Sequence, residues 1–154
     1  MKLYIILTII ICIFYIKLTL QKKHDFQIIQ TSLDVFKEEF LYDKYPIILE
    51  DNVVNIQELF DSIFKYQYIF KKNGKKLKKK QNKNNSKFVI FHNVDLDEST
   101  ISIKNDINDV FVDVILRKHK VLVLPYGWYF TNNNNISYVL LNDLIHSLRH
   151  LNFN

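Results

Sequence analysis

The stretch of sequence that decides the fold spans residues 121–130 and reads Val-Leu-Val-Leu-Pro-Tyr-Gly-Trp-Tyr-Phe. Its first four residues are apolar, and a short apolar run beside a turn is typical of a fully buried strand. Pro125, Tyr126 and Gly127 form a turn by composition, because proline and glycine both favour turns. The aromatic residues that follow predict a second strand over residues 128–130. We therefore expect this segment to fold as strand, turn and strand.

Further short strands and a few helices are predicted around this segment. Apolar and β-branched runs predict strands over 47–49, 66–70, 88–94, 100–103, 110–116 and 136–140. Cap residues and helical spacing predict helices over 32–42, from cap residue Asn55 to about residue 64, and over 141–151. A run of short strands framed by helices predicts a mostly β domain of the α+β or sandwich type.

The composition limits what the chain can do. Its 154 residues leave room for one domain of about 130 residues behind an N-terminal anchor. With two glycines there is no Gly-rich phosphate loop, which excludes kinase and NTPase motifs. The single cysteine, Cys12, allows no disulfide within the chain. The abundant Asn, Lys, Ile, Phe and Tyr follow A/T-rich codons, so lysine or asparagine content alone is weak evidence of function.

The N-terminal residues predict a membrane anchor. Residues 3–16 contain one polar residue, Thr8. As a helix, residues 3–20 would span about 27 Å, which is close to the thickness of the hydrocarbon core. A cleaved signal peptide is the alternative, although no small residue is available for cleavage after Thr19.

We therefore expect an uncleaved single-pass anchor within residues 1–23 and one domain over residues 24–154. Lys17, Lys22 and Lys23 outweigh the positive charge before the anchor. On the positive-inside rule, they favour a membrane protein whose domain lies on the cytosolic side.

Residues 71–87 are rich in lysine and hold much of the net charge of +5. They are predicted to form a long loop between two strands. The candidates for contact with anionic lipid or with a protein partner are Lys71, Lys72, Lys75, Lys76, Lys78, Lys79 and Lys80. Nucleic acid is not expected as a partner, because the segment lacks arginine and interleaved aromatic residues.

The segment from residue 119 to residue 134 resembles the second motif of cupins. Residues 125–127 match its Pro-x-Gly centre, and Asn134 falls at its asparagine. Residues 121–129 also look like the strand-Pro-x-Gly-Trp signature of JmjC-type, cupin-like proteins, and residues 44–50 resemble their entry strand. The layout is similar to short cupin-like proteins encoded by large DNA viruses. The resemblance implies a cupin-like β-sandwich flanked by short helices.

This sequence departs from the cupin pattern at the metal ligands. Phe130 occupies the position of the metal-binding histidine, His119 occupies that of the leading glycine, and the first motif has no match. We therefore predict a membrane-anchored binding or structural module, a pseudoenzyme with no catalytic residues and no cofactor. The alternative is an oxygenase of the Fe(II)/2-oxoglutarate type with unconventional ligands, for which His92 and Asp95 are the first candidates. A second alternative is an adaptor that binds anionic lipid.

Two further groups of residues are candidates for a site. Tyr126, Trp128, Phe130 and Asn134 could line the mouth of a ligand pocket, although aromatic residues beside a turn are also typical of a core. On the predicted C-terminal helix, residues 143, 146 and 150 share one polar face. That face is expected to be solvated rather than to bind metal.

Overall fold

The computed structural model describes residues 6–13, 26–64, 70–73, 81–132, 136–143 and 146. Residues 6–13 are helical. The rest of the predicted anchor, residues 3–5 and 14–20, lies outside the described residues. Within the described ranges, no helix is both long and apolar enough to cross a membrane.

The described residues form ten short strands, numbered along the chain. They are β1 (Ile29–Thr31), β2 (Ile47–Leu49), β3 (Phe70–Asn73), β4 (Asn82–Lys83), β5 (Phe88–His92), β6 (Glu98–Lys104), β7 (Val112–Arg117), β8 (Val121–Pro125), β9 (Tyr129–Asn132) and β10 (Tyr138–Asn142). One sheet has the order β1, β2, β8, β5, β10, β3, and the other has the order β4, β9, β6, β7. Neighbouring strands are antiparallel except for β1 and β2, which are parallel. The prediction of a mostly β domain with short helices is confirmed.

From β3 onward, the chain alternates between the two sheets. Strands β3, β5, β8 and β10 lie in the six-stranded sheet, whereas β4, β6, β7 and β9 form the four-stranded sheet. Only the step from β6 to β7 stays within one sheet, as a hairpin. Strands that are distant in sequence, such as β5 and β10, are therefore neighbours in space.

The six-stranded sheet has a hydrophobic core on each of its faces. Every residue of β5 and of β8 is buried. In β5, Val89 and Phe91 face the four-stranded sheet, whereas Phe88 and Ile90 face the opposite side. Burial on both faces explains why residues 121–124 form an uninterrupted apolar run instead of an alternating pattern.

A helical layer covers the outer face of the six-stranded sheet. It contains the helix Ile56–Ser62 and the 3-10 helix Glu38–Leu41. Asn55 caps the first of these, because its side-chain oxygen accepts a hydrogen bond of 2.9 Å from a backbone N–H in the first turn. Leu59 and Phe60 are buried against the sheet, as their spacing predicts.

The prediction of a helix over residues 32–42 is wrong for most of its length. Only Glu38–Leu41 is helical, and the residues before position 32 form β1. The backbone N–H of Leu33 donates a hydrogen bond of 2.5 Å to the carboxylate of Asp51. This contact holds the chain in a turn where helical spacing suggested a regular helix.

The lysine-rich segment is not a continuous loop. Lys71 and Lys72 belong to β3, and Lys83 belongs to β4. The backbone of β3 pairs with β10 at the edge of the sheet, a position where lysine is common in strands. The other candidate lysines lie outside the described residues; they are Lys75, Lys76, Lys78, Lys79 and Lys80.

The predicted C-terminal helix begins too early. Leu141 and Asn142 belong to β10. Leu141 is fully buried in the core between the sheet and the helical layer, which accounts for its place in an apolar pattern. Residue 146 is helical, while residues 147–151 lie outside the described part of the chain.

Candidate functional site

The turn between β8 and β9 holds two of the four predicted pocket residues, Tyr126 and Trp128. Gly127 has a φ of 91°, a conformation that glycine adopts without steric cost. Tyr126 is partly exposed. Trp128 is buried, and its indole N–H donates a hydrogen bond of 3.0 Å to the carbonyl oxygen of Lys44. Asn134 lies outside the described residues.

Phe130 lies between the two sheets. Its ring centroid is 5.2 Å from that of Phe91 and 6.1 Å from that of Tyr138. All three residues are at most 7% exposed. The interior beside β9 is therefore filled by an aromatic cluster, which we define as Phe91, Phe130 and Tyr138.

The aromatic cluster does not fit an iron centre. Phe130 falls where the cupin resemblance of residues 119–134 would place a histidine, and its ring has no lone pair to offer a metal. Within the described residues, no three His, Cys, Asp or Glu side chains lie close enough to share an ion.

A buried asparagine fixes the turn between β8 and β9. Asn84 follows β4 and is 1% exposed. Its Nδ2 donates to the carbonyl oxygens of Leu124 and Pro125 at 2.9 and 2.8 Å. Its Oδ1 accepts from the backbone N–H of Ser86 at 2.9 Å. Sequence analysis missed this residue, because an asparagine among many asparagines gives no signal.

A depression of about 470 Å³ lies where β5 ends and β10 begins, beside the helix Ile56–Ser62. Its walls come from residues 54–56 before and at the start of the helix, from His92 and Val94 at the end of β5, and from residues 137–139 at the start of β10. His92 is the one residue among these that can gain a charge near neutral pH, by protonation; the others are uncharged there. We call this depression the His92 pocket. Its volume is in the range of small-molecule sites.

His92 is the most buried polar side chain in the wall of the pocket, with 5% exposure. Its Nε2 lies 2.5 Å from the carbonyl oxygen of Val53. A carbonyl oxygen can only accept a hydrogen bond, so Nε2 carries the proton and donates it. The other ring nitrogen, Nδ1, makes no hydrogen bond to any described residue. In the neutral ring, Nδ1 therefore presents a lone pair.

Burial lowers the pKa of His92 below its ordinary value of 6.5, because the imidazolium form loses its hydration. The hydrogen bond to Val53 opposes this effect, whereas the nearby charge of His119 lowers the pKa further. At neutral pH the ring is uncharged, so the His92 pocket presents a hydrogen-bond acceptor rather than a cation.

Backbone hydrogen bonds hold the wall of the pocket in place. The N–H of Val53 donates to the carbonyl of His119 at 2.9 Å, and the N–H of His119 donates to the carbonyl of Asn93 at 2.6 Å. His119 has a φ of 62°, lies in the turn before β8 and is partly exposed. The buried amide of Asn93 donates to the carbonyls of Leu96 and Leu116, at 2.8 Å in each case.

The structure does not bring His92 and Asp95 together in one site. Asp95 is exposed in the connection between β5 and β6, and it is not among the residues that line the His92 pocket. The chain turns away from the sheet directly after His92, where Asn93 ties it to neighbouring carbonyls.

A second polar cluster joins the end of β10 to the turn after β8. The Nζ of Lys87 lies 3.2 Å from the carboxylate of Asp143, and the Nδ1 of His146 lies 2.7 Å from the same group. Burial alone would raise the pKa of Asp143, but hydrogen bonds from His146 and the charges of His146 and Lys87 lower it overall. The ring of His146 also contacts Tyr126, with 5.4 Å between centroids. These contacts give the cluster a structural role.

Comparison with known proteins gives no assignment: no protein-family model, no curated protein and no solved structure matches this chain. The functional assignment therefore rests on the fold and on the side chains described above.

Proposed function

We propose that the chain is a cupin-like binding or structural module that is not an enzyme and is attached to a membrane by its N-terminal segment. The observation that carries this proposal is the aromatic cluster. Phe91, Phe130 and Tyr138 fill the interior beside β9, at the motif position where cupins place a metal ligand. A module of this kind would act through its surface or through a pocket outside the sandwich.

The strand order supports the cupin-like part of the proposal. Strands β3 to β10 give the orders β3-β10-β5-β8 and β4-β9-β6-β7. Eight antiparallel strands that alternate between two sheets in this way are typical of jelly rolls, an architecture that includes the cupins. Because jelly rolls carry many functions, this order supports the fold, and the lack of catalysis is argued from Phe130.

Metal content tests the proposed lack of an iron centre. We expect the purified full chain, incubated with Fe(II) or with Zn(II) and then desalted, to retain far less than one ion per chain. The reason is that the interior offers aromatic rings in place of ligands. Elemental analysis by mass spectrometry measures the ratio.

A His92→Gln variant and a matched His119→Gln variant complete the metal experiment. One ion per chain that is lost in the first variant and kept in the second would contradict the proposal. It would favour the Fe(II)-dependent oxygenase, with His92 as a ligand.

The membrane attachment is tested by fractionation. The proposal rests on the apolar sequence of residues 3–20. We expect the full chain to sediment with membranes and to resist washing at high salt, and a chain lacking residues 1–23 to remain in the supernatant. Release of the full chain by salt alone would contradict an anchor and would instead favour contact between the lysines and anionic lipid.

A further inference from the structure

We propose that the His92 pocket binds a small uncharged molecule that combines an apolar body with a hydroxyl or N–H donor. The inference rests on the proposed function in one respect, namely that the domain binds a molecule without transforming it. It adds a site and a ligand class.

The hydrogen bond that Nε2 of His92 makes determines which atom of the ring is the acceptor in the pocket. Because Nε2 of His92 donates to the carbonyl of Val53, the neutral ring has its lone pair on Nδ1. His92 is 95% buried, yet the described residues supply no donor to Nδ1. Nδ1 is not among the buried side-chain atoms that lack a partner, so it is accessible to solvent from the pocket, and a ligand donor would take the place of water on it.

The rest of the lining selects for an uncharged and partly apolar ligand. Val54, Ile56, Val94 and Val139 supply apolar wall, and apart from the neutral His92 the described lining residues include no acidic or basic side chain to pair with an ionic ligand. An ion without a counter-charge would lose hydration on entering, which is unfavourable. Val54 is 72% exposed, so a large part of its side chain is available for contact.

Two further polar groups in the lining could orient the ligand. The side-chain oxygen of Asn55 is engaged in capping the helix, which leaves its amide N–H groups as donors. Ser137 is exposed and adds a hydroxyl group. A ligand that donates to His92 and carries an acceptor elsewhere would match both kinds of group.

The His92 pocket and the aromatic cluster meet at Tyr138, which lines the pocket and belongs to the cluster. The ring of Tyr138 contacts Phe91 and Phe130 in the interior of the sandwich. His92 instead contacts Val53, which belongs to the core on the helical side of the sheet. Binding in the pocket therefore does not require the interior to open.

The probes are indole and N-methylindole, which have the same apolar ring system and differ in the N–H donor. We expect indole to bind the full-length protein about three- to tenfold more tightly than N-methylindole, the difference that one net hydrogen bond to Nδ1 of His92 would make. Titration calorimetry measures both affinities. In nitrogen NMR of histidine-labelled protein, indole is expected to shift the Nδ1 resonance of His92, and N-methylindole is not.

A matched pair of variants locates the site. Val54 and Val110 are both 72% exposed, but only Val54 lines the pocket. We expect Val54→Asp to weaken indole binding by about tenfold, because the new carboxylate faces an apolar ligand without a counter-charge. Val110→Asp is expected to leave the affinity unchanged.

Three results would overturn the inference: no saturable binding of indole, equal affinity for the two probes, or equal effects of the two variants. Failure of the inference is distinguishable from failure of the proposed function, because the latter is decided by metal content. A domain that binds no metal and no indole would keep its proposed non-catalytic role without this site.

Discussion

Replacing Asn84 with alanine is expected to lower the free energy of unfolding by about 3–5 kcal/mol. The substitution would leave the carbonyl groups of Leu124 and Pro125 and the N–H of Ser86 without their present partner. The side chain is 1% exposed, so water cannot readily replace the lost hydrogen bonds. Each buried polar group left unsatisfied costs about 1–3 kcal/mol. Urea unfolding of the purified variant measures the difference.

The matched control for this prediction is Asn105→Ala. The side-chain oxygen of Asn105 accepts from the backbone N–H groups of Ile107 and Asn108, at 3.1 and 2.8 Å, but these bonds are exposed to solvent. We expect this variant to cost less than about 1 kcal/mol, because water can take the place of the amide. Similar losses of stability in the two variants would show that Asn84 does not hold the turn through buried hydrogen bonds.

Replacing Phe130 with alanine is expected to cost about 3–5 kcal/mol, the usual range for deletion of a buried phenylalanine ring. The ring is 3% exposed and contacts both Phe91 and Tyr138, so its removal would leave a cavity between the sheets. Urea unfolding again gives the change in stability. An apolar cavity of this origin is also expected to bind benzene.

Ile115→Ala serves as the control for Phe130→Ala. Ile115 is 60% exposed on β7, the edge strand of the four-stranded sheet, and its truncation should change stability by less than about 0.5 kcal/mol. A cost of less than about 1 kcal/mol for Phe130→Ala would mean that the interior is loosely filled. That outcome would remove the main support for a non-catalytic module.

Much of the sheet structure was predictable, because a strand that is buried on both faces is apolar at consecutive positions. Residues 121–124 and the start of the run at residue 88 are apolar without alternation, and both form buried strands. Lys71 and Lys72 could not be recognised as strand residues, because their strand is defined by pairing with β10, about seventy residues later in the sequence. A long-range hydrogen bond, from Leu33 to Asp51, likewise lies where the sequence predicted a helix.

The candidate site was predictable only in part. From sequence, His92 was a candidate only for the alternative oxygenase, together with Asp95, whereas the structure places it in a pocket that Asp95 does not line. That pocket combines residues 54–56, His92 and residues 137–139, which no sequence spacing could associate. Asn84 and Asn93 could not be recognised for a different reason, because asparagine is common throughout the chain and no single one stands out.

The alternation of strands between the two sheets determines when this domain can fold during its synthesis. Strand β5 lies between β8 and β10, and both are made after it. The edge strand β3 likewise pairs with β10 alone, and β2 lies beside β8. Strands β5 and β8 can pair earlier, but the second edge of β5 and the whole of β3 remain unpaired until residues 138–142 have left the ribosome. Long-range pairing of this kind makes folding slow, and the lysines beside β3 would limit aggregation of strands that are still unpaired.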